Sequence, residues 1–152
     1  MGIKVVTSNK KIHFEYEILD TIEAGIVLLG TEVKSIRFGK GSISEGYVIE
    51  ESGELFIKNM NIPQYDKGNI NNHEPLRVRK LLLNKKEIIK LSKQIKEKGI
   101  TIVPAKLYFK NSTIKLELAI CKGKKLYDKR ETIKDRENKR TIEREMKKSV
   151  RS

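Results

Sequence analysis

The sequence predicts a mainly β fold: a small antiparallel barrel with two to three flanking helices, followed by a basic C-terminal tail. Three observations carry that prediction. Short segments alternating apolar and polar residues at period two, the mark of half-buried strands, recur across residues 1–121. Tight turns or a single helix join them, without the strand–helix–strand repetition of a parallel sheet. Residues 122–152 then change character, with thirteen Lys or Arg against six Asp or Glu, no Pro and no dense apolar cluster. Such a segment cannot bury enough apolar surface to offset the entropy of ordering it, so it is expected to be disordered when free.

The elements follow in order. Met1 to Lys11 is expected to be a basic lead-in. Phe14-Glu15-Tyr16-Glu17-Ile18 alternates apolar and charged residues and predicts the first strand. Glu23 to Gly30 predicts a turn and then a buried strand built on Ile26-Val27-Leu28-Leu29. Thr31 offers an N-cap for a short helix through Ser35 and Arg37, stopped by Gly39 and Gly41. Val33 and Ile36, three apart, then face the core, leaving Glu32, Lys34 and Arg37 for solvent or a partner. Tyr47-Val48-Ile49 and Leu55-Phe56-Ile57 form a hairpin about Ser52-Gly53. Residues 62–75 make a long polar loop, uncommon inside a compact domain unless it binds something. Beyond Arg77 to Leu83, Asn84 caps a helix with Glu87 three residues on, a capping-box pattern. Ile88, Leu91 and Ile95 form its buried stripe, and Lys98-Gly99 ends it. Ala105 to Phe109 and Ile114 to Ile120 pair through a turn at residues 110–113. Pro104 demotes the start of its strand to an edge or a bulge. One helix between strands suits a partly open barrel of the oligonucleotide-binding type.

Charge narrows the function. The 152 residues carry a net charge of +13, and a pI near 9.8 points to a polyanionic partner. No run of about eighteen apolar residues exists and the N-terminus lacks a signal-type apolar stretch, so no membrane role is expected. Cys121, the one cysteine, excludes an intrachain disulfide and fits a reducing cytoplasm. Its place in an apolar alternating run makes it a small core thiol. An enzyme is not expected. His13 and His73 have no metal-ligand spacing, and no Gly-rich phosphate loop is present. Asp20 and Glu23 fall where a strand meets a turn, and solvation or capping accounts for them. No cofactor or metal is implied.

Binding has more residues behind it. Lys10, Lys11, Arg37, Lys40, Arg77, Arg79, Lys80, Lys85 and Lys86 are spread through the domain, and together they can neutralise several phosphates. His13, Phe14 and Tyr16 follow Lys10-Lys11, with Phe14 and Tyr16 on one strand face and His13 on the other. Rings beside cations hold unpaired bases, although Phe14 serves a core equally well. In the tail, Ile142, Met146 and Val150 recur every fourth residue. On a helix they form a thin apolar stripe flanked by Arg140, Arg144, Lys147, Lys148 and Arg151. The stripe is too narrow to hold a helix in water, so a helix is expected only on docking.

A set of longer motifs sharpens this. Tyr16-Glu17-Ile18 precedes Glu23-Ala24-Gly25-Ile26 and Gly30-Thr31-Glu32-Val33-Lys34-Ser35-Ile36-Arg37. There follow Pro63-Gln64-Tyr65, Gly68-Asn69, Arg79-Lys80-Leu81-Leu82-Leu83 and Leu107-Tyr108-Phe109-Lys110-Asn111. The last is Gly123-Lys124-Lys125-Leu126-Tyr127-Asp128-Lys129-Arg130. In this order, over nearly the whole chain, they resemble the SsrA-binding protein family (small protein B), the bacterial partner of transfer-messenger RNA.

The resemblance implies an oligonucleotide-binding-type barrel that grips the tRNA-like domain of that RNA. It also implies delivery of the alanyl-charged RNA, with elongation factor Tu, to ribosomes stalled on messages lacking a stop codon. Positions matching Glu32, Leu82 and Asn84 belong to the family's RNA-contacting surface. With them the RNA-binding candidates are Lys10, Lys11, His13, Phe14, Lys34, Arg37, Arg79, Lys80 and Lys85. The tail from Gly123 is implied to enter the decoding centre and the empty mRNA channel as a helix. Gly123, Lys124, Lys125, Tyr127, Asp128, Lys129 and Arg130 are then ribosome-binding, and Ile142 and Met146 secure the helix. Two departures stand out. Asn9-Lys10-Lys11-Ile12-His13-Phe14 puts Phe14 where many members carry His, and Tyr127 stands where others have His. Both exchanges keep a ring and lose an imidazole. The competing functions are a general single-stranded RNA module, a nuclease and a ribosomal structural protein.

Overall fold

The computed structural model describes residues 2–66 and 72–123. Expectations for Lys124, Lys125, Tyr127, Asp128, Lys129, Arg130, Ile142 and Met146 lie outside them. The chain runs β1 (Ile3–Ser8), α1 (Ile12–Glu15), β2 (Tyr16–Ile26), α2 (Gly30–Arg37), β3 (Tyr47–Glu51) and β4 (Glu54–Lys58). It continues with β5 (Arg79–Leu82), α3 (Lys85–Lys96), β6 (Ile100–Lys110) and β7 (Thr113–Gly123). All strand pairings are antiparallel, in the order β1-β6-β7-β2-β5-β4-β3. The sheet curls until β3 meets β6, which makes the expected barrel. Gly46 lets the two close, since a Cβ there would lie 3.0 Å from Cγ of Pro104.

Local chemistry explains the turns. Ser52 and Gly53 both have positive φ, as do Asn111 and Ser112. Two successive left-handed residues make the tight turn that matches strand twist. Asn84 Oδ1 accepts the Glu87 N–H at 2.9 Å and Glu87 Oε1 accepts the Asn84 N–H at 3.1 Å, so the capping box at α3 is formed. The barrel is filled by Ile36, Ile43, Leu55, Ile57, Met60, Ile62, Leu81, Leu91, Ile102, Leu107, Leu116 and Leu118. A second cluster of Ile12, Val103, Ala105, Ala119 and Cys121 sits apart from it. There Cys121 is a buried thiol whose pKa burial pushes up to about 11.

Several expectations need correction. The supposed lead-in is strand β1, paired with β6; it is held by backbone ladder bonds, with Ile3 and Val5 left exposed. Phe14 is not in a strand. Asn9 Nδ2 donates to Pro104 O and its Oδ1 accepts the Lys11 N–H, both at 3.2 Å, which turns the chain into α1. The strand starts at Tyr16 and runs unbroken to Ile26. Asp20 and Glu23 therefore lie inside β2: Asp20 meets Lys90, and Glu23 accepts the Tyr108 hydroxyl at 2.6 Å. The cap position of α2 is Leu29, not Thr31. Pro104 does mark a bulge, but in a central strand; β1 ends opposite Lys106, so no neighbour there calls for the missing N–H.

Candidate nucleic-acid interface

The site begins with a buried charge cluster. Glu32, in the first turn of α2, is 0% exposed, so its side chain turns inward rather than outward as expected. Its carboxylate accepts the Leu29 N–H at 2.8 Å, Arg77 Nη2–H at 2.7 Å and Arg79 Nε–H at 2.7 Å. Arg79 is equally buried, also against expectation; it donates on to Met60 O at 2.7 Å and Pro75 O at 3.1 Å. Alternation along β5 already puts Arg79 on the face of Leu81, which points into the barrel. Burial pushes the Glu32 carboxyl up, but the hydrogen bonds from both arginines and Leu29 outweigh it and hold the group below its ordinary value. Burial also lowers the Arg79 guanidinium, partly offset by Glu32. One carboxylate faces two guanidiniums, and the surplus positive charge reaches the surface through the part-exposed Arg77.

His73, expected to be solvated, is buried. Its Nε2 lies 2.7 Å from the carbonyl of Ile62, which only accepts, so Nε2 carries the proton. In the neutral ring Nδ1 accepts the Thr31 hydroxyl at 2.8 Å. Helix α2, strand β5 and both ends of the loop between β4 and β5 are thus tied together by polar bonds.

Above the cluster lies an exposed strip. Lys80 and Leu82 share the outward face of β5, Val78 just before the strand is exposed beside them, and Leu82 is 51% exposed. Opposite it, Gly25 is flat, because a Cβ there would lie 3.2 Å from the Cβ of Leu82. Val27 lies beside Lys80, whose carbonyl accepts its N–H at 2.9 Å. The strip continues into Asn84 and Lys85 at the start of α3. The Asn84 amide nitrogen has no partner among the described residues, while its oxygen caps the helix. Lys85 and Lys86 are exposed without a carboxylate partner among those residues; Lys80 pairs with Glu54.

The other candidates fall elsewhere. Lys34 and Arg37 lie on the exposed side of α2, with Lys34 Nζ 5.5 Å from the Tyr65 ring centroid. Lys10, Lys11, His13 and Phe14 gather at α1, where Lys11 bridges to Glu45 at 3.2 Å. Gly123, the last described residue, pairs with Tyr16 at the end of α1 and donates to Gly99 O. Sequence reasoning missed the structural weight of Arg77 and His73, and it passed over Phe38 beside Tyr65. Among the described residues no helix is long and apolar enough to cross a membrane, and no three His, Cys, Asp or Glu gather as metal ligands would.

The model of the family described as SmpB protein matches residues 6–148. The chain belongs to the SmpB family. It is 50% identical over 151 residues to the SsrA-binding protein of Pelotomaculum thermopropionicum, covering 99% of each chain. The SsrA-binding protein of Malacoplasma penetrans is 54% identical over 138 residues, covering 91% of this chain and 94% of that one. A solved structure described as "tmRNA-SmpB: a journey to the center of the bacterial ribosome" matches with a TM-score of 0.69 and 42% identity. That match covers 84% of this chain and 93% of the other. The fold and family expected from the motifs are therefore borne out.

Proposed function

We propose that this chain binds the tRNA-like domain of transfer-messenger RNA and delivers it to stalled ribosomes in trans-translation. The observation that carries the reading is the likeness in fold and sequence to an SmpB chain named together with that RNA and the bacterial ribosome. In this reading the Val78–Leu82 strip and Asn84 form the grip. Leu82 supplies an apolar contact, the amide nitrogen of Asn84 a donor, and Lys85 and Arg77 charge for phosphates. Glu32 and Arg79 act from beneath, as positioning residues that fix the strip. The tail from Gly123 occupies the mRNA channel only when message is absent, with Lys129 and Arg130 on phosphates. The protein works in the cytoplasm as a monomer, meets elongation factor Tu through the charged RNA, and needs no catalytic residue.

The test compares the full chain with a full chain altered at Asp128, Lys129 and Arg130 to Ala. Each is measured for binding to transfer-messenger RNA and to unrelated tRNA, and for tagging of a chain stalled on a stop-less message. Selective binding by both, with tagging only by the parent, is the expected result. Equal affinity of the parent for both RNAs would replace this reading with a general RNA-binding one.

A further inference from the structure

One exposed feature is left unused by that grip. Phe38 closes α2 and is 69% exposed, yet its ring stacks on Tyr65 with centroids 6.0 Å apart and planes 16° from parallel. Both rings stand on fixed backbone. Gly39, at φ +78, turns the chain out of α2, and the Phe38 N–H donates to Ser35 O at 3.1 Å. The Asn72 side chain clamps Tyr65 from both sides, accepting its N–H at 3.1 Å and donating to its carbonyl. A cleft of about 350 Å³ beside the pair is lined by Ser35, Phe38, Lys40, Gln64, Tyr65 and Asp66. Its walls are aromatic, and its polar rim is tied into the protein: Ser35 Oγ donates to Pro63 O at 2.7 Å, Gln64 Nε2 donates to His73 O at 2.9 Å, and Lys40 pairs with Asp66 at 3.8 Å. Lys34 sits against the Tyr65 ring, and Arg37 is exposed without a carboxylate partner among the described residues.

A large ring left 69% exposed, with Tyr65 as its ring partner, gains little for the fold beyond that contact. Held beside cations, it has the form of a stacking platform: the ring takes the base and the cations take the phosphates on either side. The stack on Tyr65 already sets the Phe38 ring in one orientation, which lowers the entropy lost when a base lands on its open face. We infer that the end of α2 and Tyr65 form a pocket for one unstacked nucleobase of RNA, with Lys34 and Arg37 on the flanking phosphates. This rests on the RNA-binding reading, and it adds a second contact that takes a base by its face.

The test uses the full chain with Phe38→Ala and Phe38→Trp, both at an exposed position that leaves thermal melting unchanged. Two probes are needed: a transcript of the tRNA-like domain, and a short single-stranded RNA carrying 2-aminopurine. F38A should bind about tenfold more weakly, with the slope of affinity against salt unchanged because the lysines and arginines remain. It should also lose the 2-aminopurine fluorescence change, while F38W restores both. F38A within about twofold of the parent on both probes overturns the pocket. Should the parent fail to prefer the transcript over unrelated tRNA while its 2-aminopurine signal depends on Phe38, the proposed function falls and the pocket stands.

Discussion

Two parts of this molecule are held by different forces. The wall of β2, β7 and β6 is built of three eleven-residue strands whose inward residues fill the barrel with aliphatic side chains. The corner where α2 meets β5 is held by a carboxylate, two guanidiniums, an imidazole and backbone carbonyls. Apolar burial is non-directional and tolerates small shifts, whereas a buried charge cluster holds only in one geometry. The wall therefore supplies stability, and the corner supplies a fixed position for the strip above it.

Removing Glu32 breaks that contrast most severely. Glu32→Ala leaves two guanidiniums facing each other and should destabilise by about 3–5 kcal/mol, seen as a melting temperature lower by about 10–20 °C. Leu118→Ala in the wall should cost about 2–5 kcal/mol, from the lost transfer energy and the cavity left behind. The two losses overlap in size, and pH separates them. The Glu32 carboxyl binds its proton less readily in the folded state, so its contribution is complete above the ordinary value of 4.5. It drains away as pH falls through the lower folded value. Melting followed from neutral pH to pH about 3 should show this acid loss in the parent and in Leu118→Ala, and less of it in Glu32→Gln.

A smaller effect sharpens the comparison from the surface. Leu82→Glu changes an exposed side chain, so melting should move by less than about 0.5 kcal/mol. It puts an anion on the strip, and affinity for transfer-messenger RNA should fall by about tenfold or more, measured by filter binding. Asn84 serves both fold and grip, so its effect is split between them. Asn84→Ala should cost about 1 kcal/mol through the lost cap. Asn84→Asp keeps the cap and loses the amide donor, so weakened binding at parental stability would assign the nitrogen to RNA.

The wall was legible because alternation is a statement about burial. Ile114 to Ile120, the turn at Asn111-Ser112 and the capping box at Asn84 were all visible as local patterns. Helix α1 was not, because the bonds from Asn9 that turn the chain reach Pro104 and Lys11 from within an alternating-looking run. At the corner, charged residues pointed to solvent by type while the fold placed them inside. Arg79 shares the inward face with Leu81, and that parity was a usable signal. Nothing local links Glu32 to Arg77 or His73 to Ile62, since those partners meet only through tertiary structure.

The buried cluster also governs how this protein can change. Glu32 offers acceptors that three neighbours use, and Arg79 donates to three separate oxygens. No single replacement at either position satisfies what the other leaves behind. In a library of all single substitutions, wall positions should pass volume-conserving swaps one at a time. Glu32, Arg77 and Arg79 should instead behave as one inherited block, open to variation only through concerted changes.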